Sequence, residues 1–197
     1  FRLALRLGAT GLESDVWITA DGHIVLDHDG VAGRFPRRRR IASLERAALP
    51  DHIPTLAELY EACGTDFELS LDVKDPAAIH EVLAVARRAG PEAEARLWLC
   101  HPDLETVASW REPAHGSRLV HSTRLGRLAG GPEVHAARLQ AEGIDAMNLH
   151  HTDWTGGHVA TFHRFGRYAL GWDAQHDRVI AELVRIGIDG IFSDHAD

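Results

Sequence analysis

Apolar and polar residues alternate with a period of two over residues 12–19. Leu12, Ser14, Val16 and Ile18 fall on one side, and Glu13, Asp15 and Trp17 on the other. That period predicts a β-strand. Residues 24–26 are a short apolar run that ends in Asp27-His28-Asp29, and Asp21-Gly22 between the two runs has the composition of a type I′ hairpin turn. With Asp21 and Gly22 as the two central residues, Ala20 faces His23 and Asp15 faces His28, so Glu13, Asp15 and His28 are expected to converge on one face of the ribbon.

The rest of the chain alternates between the two periods. Residues 1–7 read as the last turns of an amphipathic helix stopped by Gly8. A loop is expected over residues 30–54, and its basic run at residues 37–40 reads as an anion clamp or, more plainly, as a solvated surface. Thr55 and Glu58 have the spacing of a capping box, which opens a helix that Gly64 stops. Residues 67–74 (FELSLDVK) alternate again, with Glu68, Ser70, Asp72 and Lys74 on the polar side. A polar face is unusual for a parallel strand, but it suits a barrel interior that carries catalytic groups at its mouth. Asp75-Pro76 then caps a helix running to Gly90. Further strands are expected at residues 96–100, 118–122, 145–149, 168–172 and 188–193, with helices from about Asp103, over residues 132–143 and 158–165, and up to Gly187.

Seven strands alternating with helices, preceded by a helix, predict an α/β chain of TIM (β/α)8 barrel type. Its first strand is expected before Phe1, residues 12–28 form a β-hairpin extension, and residues 1–197 form one domain. The net charge of −8, from 21 basic and 29 acidic residues, argues against broad nucleic-acid binding. Two cysteines without a CxxC spacing indicate neither a disulfide framework nor a zinc ribbon. No apolar run is long enough to cross a bilayer, so no stable membrane insertion is expected. A cytoplasmic location is the expectation, with secretion as the alternative because the residues before Phe1 are not in the sequence.

Two carboxylates this close on one face raise each other's proton affinity unless a cation sits between them. The hairpin therefore suggests a divalent metal held by Glu13 and Asp15, with His28 beside it as proton carrier. The rival is a solvated hairpin with scattered polar residues.

These segments resemble the glycerophosphodiester phosphodiesterase family. GLESDVWITADGHIVLDHD is similar to the family's signature of an E-x-D pair, a DG turn and an apolar strand ending in His-Asp. IPTLAELY, LSLDVKD, GWDAQH and GIDGIFSDHAD resemble later family segments in the expected order. The resemblance implies a TIM barrel that hydrolyses glycerophosphodiesters to glycerol 3-phosphate and an alcohol with a divalent cation. By position, Glu13 and Asp15 resemble metal ligands, and Asp72 sits where the family has a glutamate as third ligand. Lys74 resembles the lysine on the substrate phosphate, His28 one of two catalytic histidines, and Trp172 the aromatic wall of the substrate pocket. Asp72 is one methylene shorter than glutamate, so ligation is direct or through water. The family's opening His-Arg pair is expected before Phe1.

An all-oxygen set of Glu13, Asp15 and Asp72 suits Mg²⁺ or Ca²⁺. The expected partner is a small glycerophosphodiester, with His28 as general acid. The rival for Asp72 and Lys74 is a plain ion pair in a barrel, and for Trp172 a core tryptophan. His101, His121 and His150 end strands and are further candidates for the mouth. Two other functions stay open: a non-catalytic barrel that binds phosphoglycerol or lipid head groups, and a phosphodiesterase acting on lysophospholipids.

Overall fold

A computed structural model describes residues 1–33 and 37–195. The chain gathers into two compact units, residues 1–99 and 100–197. In the first unit, α1 (Arg2–Leu7) ends at Gly8 in the left-handed conformation and leads into β1 (Gly11–Ile18) and the return arm β2 (Ile24–Leu26). β3 (Val31–Ala32) and β4 (Arg39–Arg40) pair as a separate antiparallel ribbon. Then follow α2 (Leu56–Cys63), β5 (Glu68–Val73), α3 (Ile79–Ala89), α4 (Pro91–Ala95) and the start of β6 (Leu97–His101), whose last two residues belong to the second unit. The strand order here is β6–β5–β1–β2, with β1 parallel to β5 and antiparallel to β2. The second unit continues through α5 (Leu104–Ser109), β7 (Arg118–Thr123), α6 (Gly131–Ala141), β8 (Ala146–His150), α7 (Gly156–Arg164), β9 (Tyr168–Trp172), α8 (Asp177–Arg185) and β10 (Gly190–Ile191). Its order is β10–β9–β8–β7, and the pairs β7/β8, β8/β9 and β9/β10 are parallel. Strand–helix repeats with parallel pairing give the α/β fold of TIM-barrel type with a β-hairpin extension. Among the described residues, no helix is long and apolar enough to cross a membrane.

The elements form for the reasons the sequence suggests. Thr55 and Glu58 complete their capping box, with each side chain satisfying the other's backbone N–H, an arrangement that stabilises a helix start by about 1 kcal/mol. Helix α3 buries Ile79, Val82, Leu83 and Ala86 at helical spacing, and each large aliphatic side chain so buried contributes roughly 1.5–3 kcal/mol. In β5, Leu69, Leu71 and Val73 are all but inaccessible while Glu68 and Asp72 stay partly exposed.

The expected loop over residues 30–54 holds more order than its composition suggested. Val25, Ala32, Ile41, Leu44, Leu49 and Ile53 form a cluster against which Trp17 packs. Gly30, at φ +66°, is required there, because an added Cβ would lie 2.4 Å from the Trp17 ring. Arg37, Arg38, Arg39 and Arg40 are all exposed, as the solvated-surface reading expects. Residues 34–36 of this loop lie outside the described residues, as do residues 196–197 of the terminal segment. Two element boundaries also differ from expectation. Helix α4 arises between Gly90 and β6, where Pro91 at its first position starts a new turn. Only Gly190 and Ile191 of the expected strand at 188–193 pair with β9.

Two expected mouth histidines are structural. His101 accepts the Asp103 backbone N–H at 3.0 Å and packs edge-on to Trp110. His121 is buried and points to His135 of α6, with Nδ1 2.9 Å from His135 Nε2 and Nε2 3.1 Å from Pro102 O. A carbonyl only accepts, so His121 carries its proton on Nε2, and His135 Nε2–H donates to His121 Nδ1. Burial, then the neighbouring His121, pushes His135 down to about 4, and burial chiefly lowers His121 as well. A folded pKa below the ordinary value of 6.5 means stability that is full above that value and lost as pH falls toward 4. Urea unfolding is therefore expected to show about 2 kcal/mol less stability at pH 5 than at pH 7 from His135 alone, a loss largely absent in His135→Gln.

Candidate active site

The parallel ladder between β1 and β5 builds the site. Its register sets Glu13 beside Ser70 and Asp15 beside Asp72. Side chains two apart on a strand share a face, so Glu13, Asp15, Asp72 and Lys74 project together. One carboxylate oxygen from each of Glu13, Asp15 and Asp72 lies within 4.8 Å of the others. The Lys74 ammonium is 2.8 Å from Asp15 Oδ1 and 3.1 Å from Asp72 Oδ2. Partial burial pulls the Lys74 pKa down, but the hydrogen bond to Asp15 and the charges of Asp72 and Asp15 outweigh it and hold the ammonium above the ordinary lysine range.

The three carboxylates fit a hard divalent cation. The donors are all carboxylate oxygens, the set that Mg²⁺ and Ca²⁺ prefer. Three carboxylates against one ammonium leave the group net negative, which a divalent charge balances. The shorter side chain of Asp72 still brings its oxygen into the group.

The hairpin does not place His28 opposite Asp15. The paired residues are Val16 with Leu26, Trp17 with Val25 and Ile18 with Ile24, one residue out of step with a two-residue turn. The reason is local. Thr19 and His23 close the turn, through Thr19 N–H to His23 O at 2.9 Å and Gly22 N–H to Thr19 O at 3.0 Å. Three residues therefore span the loop, with Gly22 left-handed at φ +84°, the arrangement of a type I turn followed by a bulge. Asp21 locks it by accepting from the Thr19 hydroxyl at 2.6 Å and the Arg46 N–H at 3.0 Å. The Thr19 bond is the main cause that lowers the Asp21 pKa to about 2.

Asp27 thus takes the place beside Asp15, its N–H donating to Asp15 O at 3.2 Å. The chain then bends over residues 28–30. The His28 side chain is 91% exposed, with Nδ1 3.1 Å from Asp29 Oδ1. It stands outside the carboxylate group, although Asp15 still acts on it. The Asp29 hydrogen bond first, and the Asp15 charge second, raise the His28 pKa above 6.5.

In the second unit, Trp172 ends β9 beside His150, which ends β8. Their rings meet edge to face at 4.6 Å, and the Arg124 guanidinium lies 5.9 Å from the Trp172 ring centroid. Arg124 is fixed by a two-point contact with Asp153, at 2.7 and 3.2 Å. The Trp172 indole nitrogen is buried and has no hydrogen-bond partner. A buried tryptophan normally pairs that N–H. His151 and Asp173 join His150 here. The reading of the sequence passed over both, yet their signal was present: polar residues directly after the ends of two adjacent parallel strands come to lie together.

Comparison with known proteins gives the site its context. The model of the glycerophosphoryl diester phosphodiesterase family matches residues 1–197. The Mycobacterium tuberculosis protein named "probable glycerophosphodiester phosphodiesterase 2" is 28% identical over 226 residues, covering 100% of this chain and 80% of that protein. The crystal structure of a glycerophosphodiester phosphodiesterase from Thermotoga maritima superposes with a TM-score of 0.82 at 21% identity, over 100% of this chain and 86% of that one. An Oleispira antarctica phosphodiesterase, solved with its product sn-glycerol-3-phosphate, has a TM-score of 0.77 at 19% identity, over 98% of this chain and 85% of that one. The two structures share the fold, and the family match over the full length settles the class: the chain belongs to the glycerophosphoryl diester phosphodiesterase family and is a phosphoric diester hydrolase.

Proposed function

We propose that the chain hydrolyses glycerophosphodiesters to glycerol 3-phosphate and an alcohol, with Mg²⁺ or Ca²⁺ held by Glu13, Asp15 and Asp72. The observation that carries this reading is the convergence of those three carboxylates, two of which, Asp15 and Asp72, hold the Lys74 ammonium. The Oleispira relative bound to sn-glycerol-3-phosphate supports the choice of substrate. A bound divalent cation would neutralise charge growing on the phosphoryl oxygens. Lys74, held protonated by Asp15 and Asp72, supplies a second positive charge to the phosphate. Trp172 is assigned as an apolar wall for the substrate, the role that the family resemblance implies.

His28 is assigned as general acid, giving its proton to the departing alcohol. Its raised pKa keeps it protonated further toward neutral pH than an ordinary histidine. The ring is turned to Asp29, so this role requires the exposed side chain to swing toward the carboxylates. That orientation is also the observation that favours a second reading, a barrel that binds phosphoglycerol without turning it over.

Release of glycerol 3-phosphate from glycerophosphocholine separates the two. With a divalent ion present, the enzyme is expected to turn over, and His28→Ala to lose about 10²–10⁴-fold in kcat, the usual worth of general acid catalysis. Binding without release, or full activity in His28→Ala, removes the assignment. Activity that depends on protonated His28 falls as pH rises through its folded pKa. Asp29→Asn is expected to move that alkaline limb downward, because Asp29 is the main cause of the raised value.

Calorimetric titration with Mg²⁺ and Ca²⁺ tests the carboxylates. Asp72→Asn is expected to weaken cation binding by at least roughly tenfold, and Asp72→Glu to retain it. Lys74→Met is expected to lower kcat/KM by about 10²–10³-fold, as loss of a charge-stabilising donor does, while tightening the cation, since a competing positive charge has gone.

A further inference from the structure

We propose that His150, His151 and Asp173 form a second, nitrogen-rich metal site that takes a transition-metal cation of the zinc class. It lies wholly in the second unit and does not rest on the hydrolytic reading. The register of β8 with β9 sets His150 beside Trp172, so the residue after each strand end, His151 and Asp173, joins the pair. His150 Nε2 is 3.0 Å from Asp173 Oδ2, and the two imidazoles are 4.4 Å apart between centroids. A ligand atom from each of the three lies within 4.8 Å of the others. Ligand atoms around a tetrahedral zinc, at bonds of about 2.0–2.1 Å, are about 3.3 Å apart, close to the 3.0 Å between His150 Nε2 and Asp173 Oδ2.

The surroundings hold these ligands in place. His150 Nδ1 is 2.7 Å from the Thr152 hydroxyl and 3.3 Å from the Thr152 backbone nitrogen. Nδ1 accepts the Thr152 N–H in this state; for Nε2 to ligate a cation, the proton it shares with Asp173 moves to Nδ1, which gives up that bond and donates to the Thr152 hydroxyl instead. Gln175 Nε2 contacts the other Asp173 oxygen at 3.3 Å and is itself held by Asp194 at 2.8 Å. Such outer contacts orient metal ligands. Asp173 is also the one non-glycine residue with positive φ, at 62°, among the described residues, and backbone strain of this kind persists where the surroundings over-determine a side chain's position. Two imidazoles and a carboxylate select zinc-like cations over Mg²⁺ or Ca²⁺. Three protein ligands leave a fourth position for water or a substrate oxygen.

Titrating the full chain with Co²⁺, read by its visible ligand-field absorption and reversed with Zn²⁺, tests the site. The expected result is a tetrahedral-type band that saturates at one equivalent of its own, whatever else the carboxylate group binds, and affinity at least roughly tenfold weaker in His151→Gln and Asp173→Gly. The band persists in Glu13→Gln. Asp173→Gly keeps the test sound, because a glycine suits the positive φ and the fold is retained. Absence of a band in the native protein, or a band unchanged in Asp173→Gly, overturns the proposal, as does one abolished by Glu13→Gln.

Discussion

The parallel pairing of β1 with β5 is the constraint on which the site depends. Hydrogen bonds between the two backbones set Asp15 beside Asp72, and the pleat then turns Glu13 and Lys74 to the same side. Nothing in the carboxylates themselves favours this, since like charges repel. What holds them together is the apolar side of the same strands, where Leu12, Val16, Leu69, Leu71 and Val73 are buried. Shifting either strand by one residue would put those side chains on the wrong face, so the core that stabilises the fold also fixes the register of the charged groups.

Most of the architecture was legible from the chain because its signals are local. The capping box at Thr55, the stop at Gly8 and the alternation through β5 each depend on residues a few positions apart, and each is present as read. Grouping Glu13, Asp15, Asp72 and Lys74 needed only the strand period and the family resemblance, and the geometry brings those four together.

What was not legible depended on a single residue or on distant packing. Asp21-Gly22 has the composition of a two-residue turn, but the Thr19 hydroxyl, caught between Asp21 and His23, widens the loop by one residue. That one residue moves Asp27, rather than His28, beside Asp15. Pairing a buried His121 with His135 links a strand to a helix 14 positions away, and no short-range pattern announces it. The little core under residues 30–54 likewise gathers apolar side chains that show no period along the chain.

The ammonium of Lys74, spanning Asp15 and Asp72, has a consequence for folding itself. It acts as a built-in counter-ion, so the acidic pocket is electrically tolerable from the moment the strands pair. Any cation that enters would have to share this space with a resident positive charge.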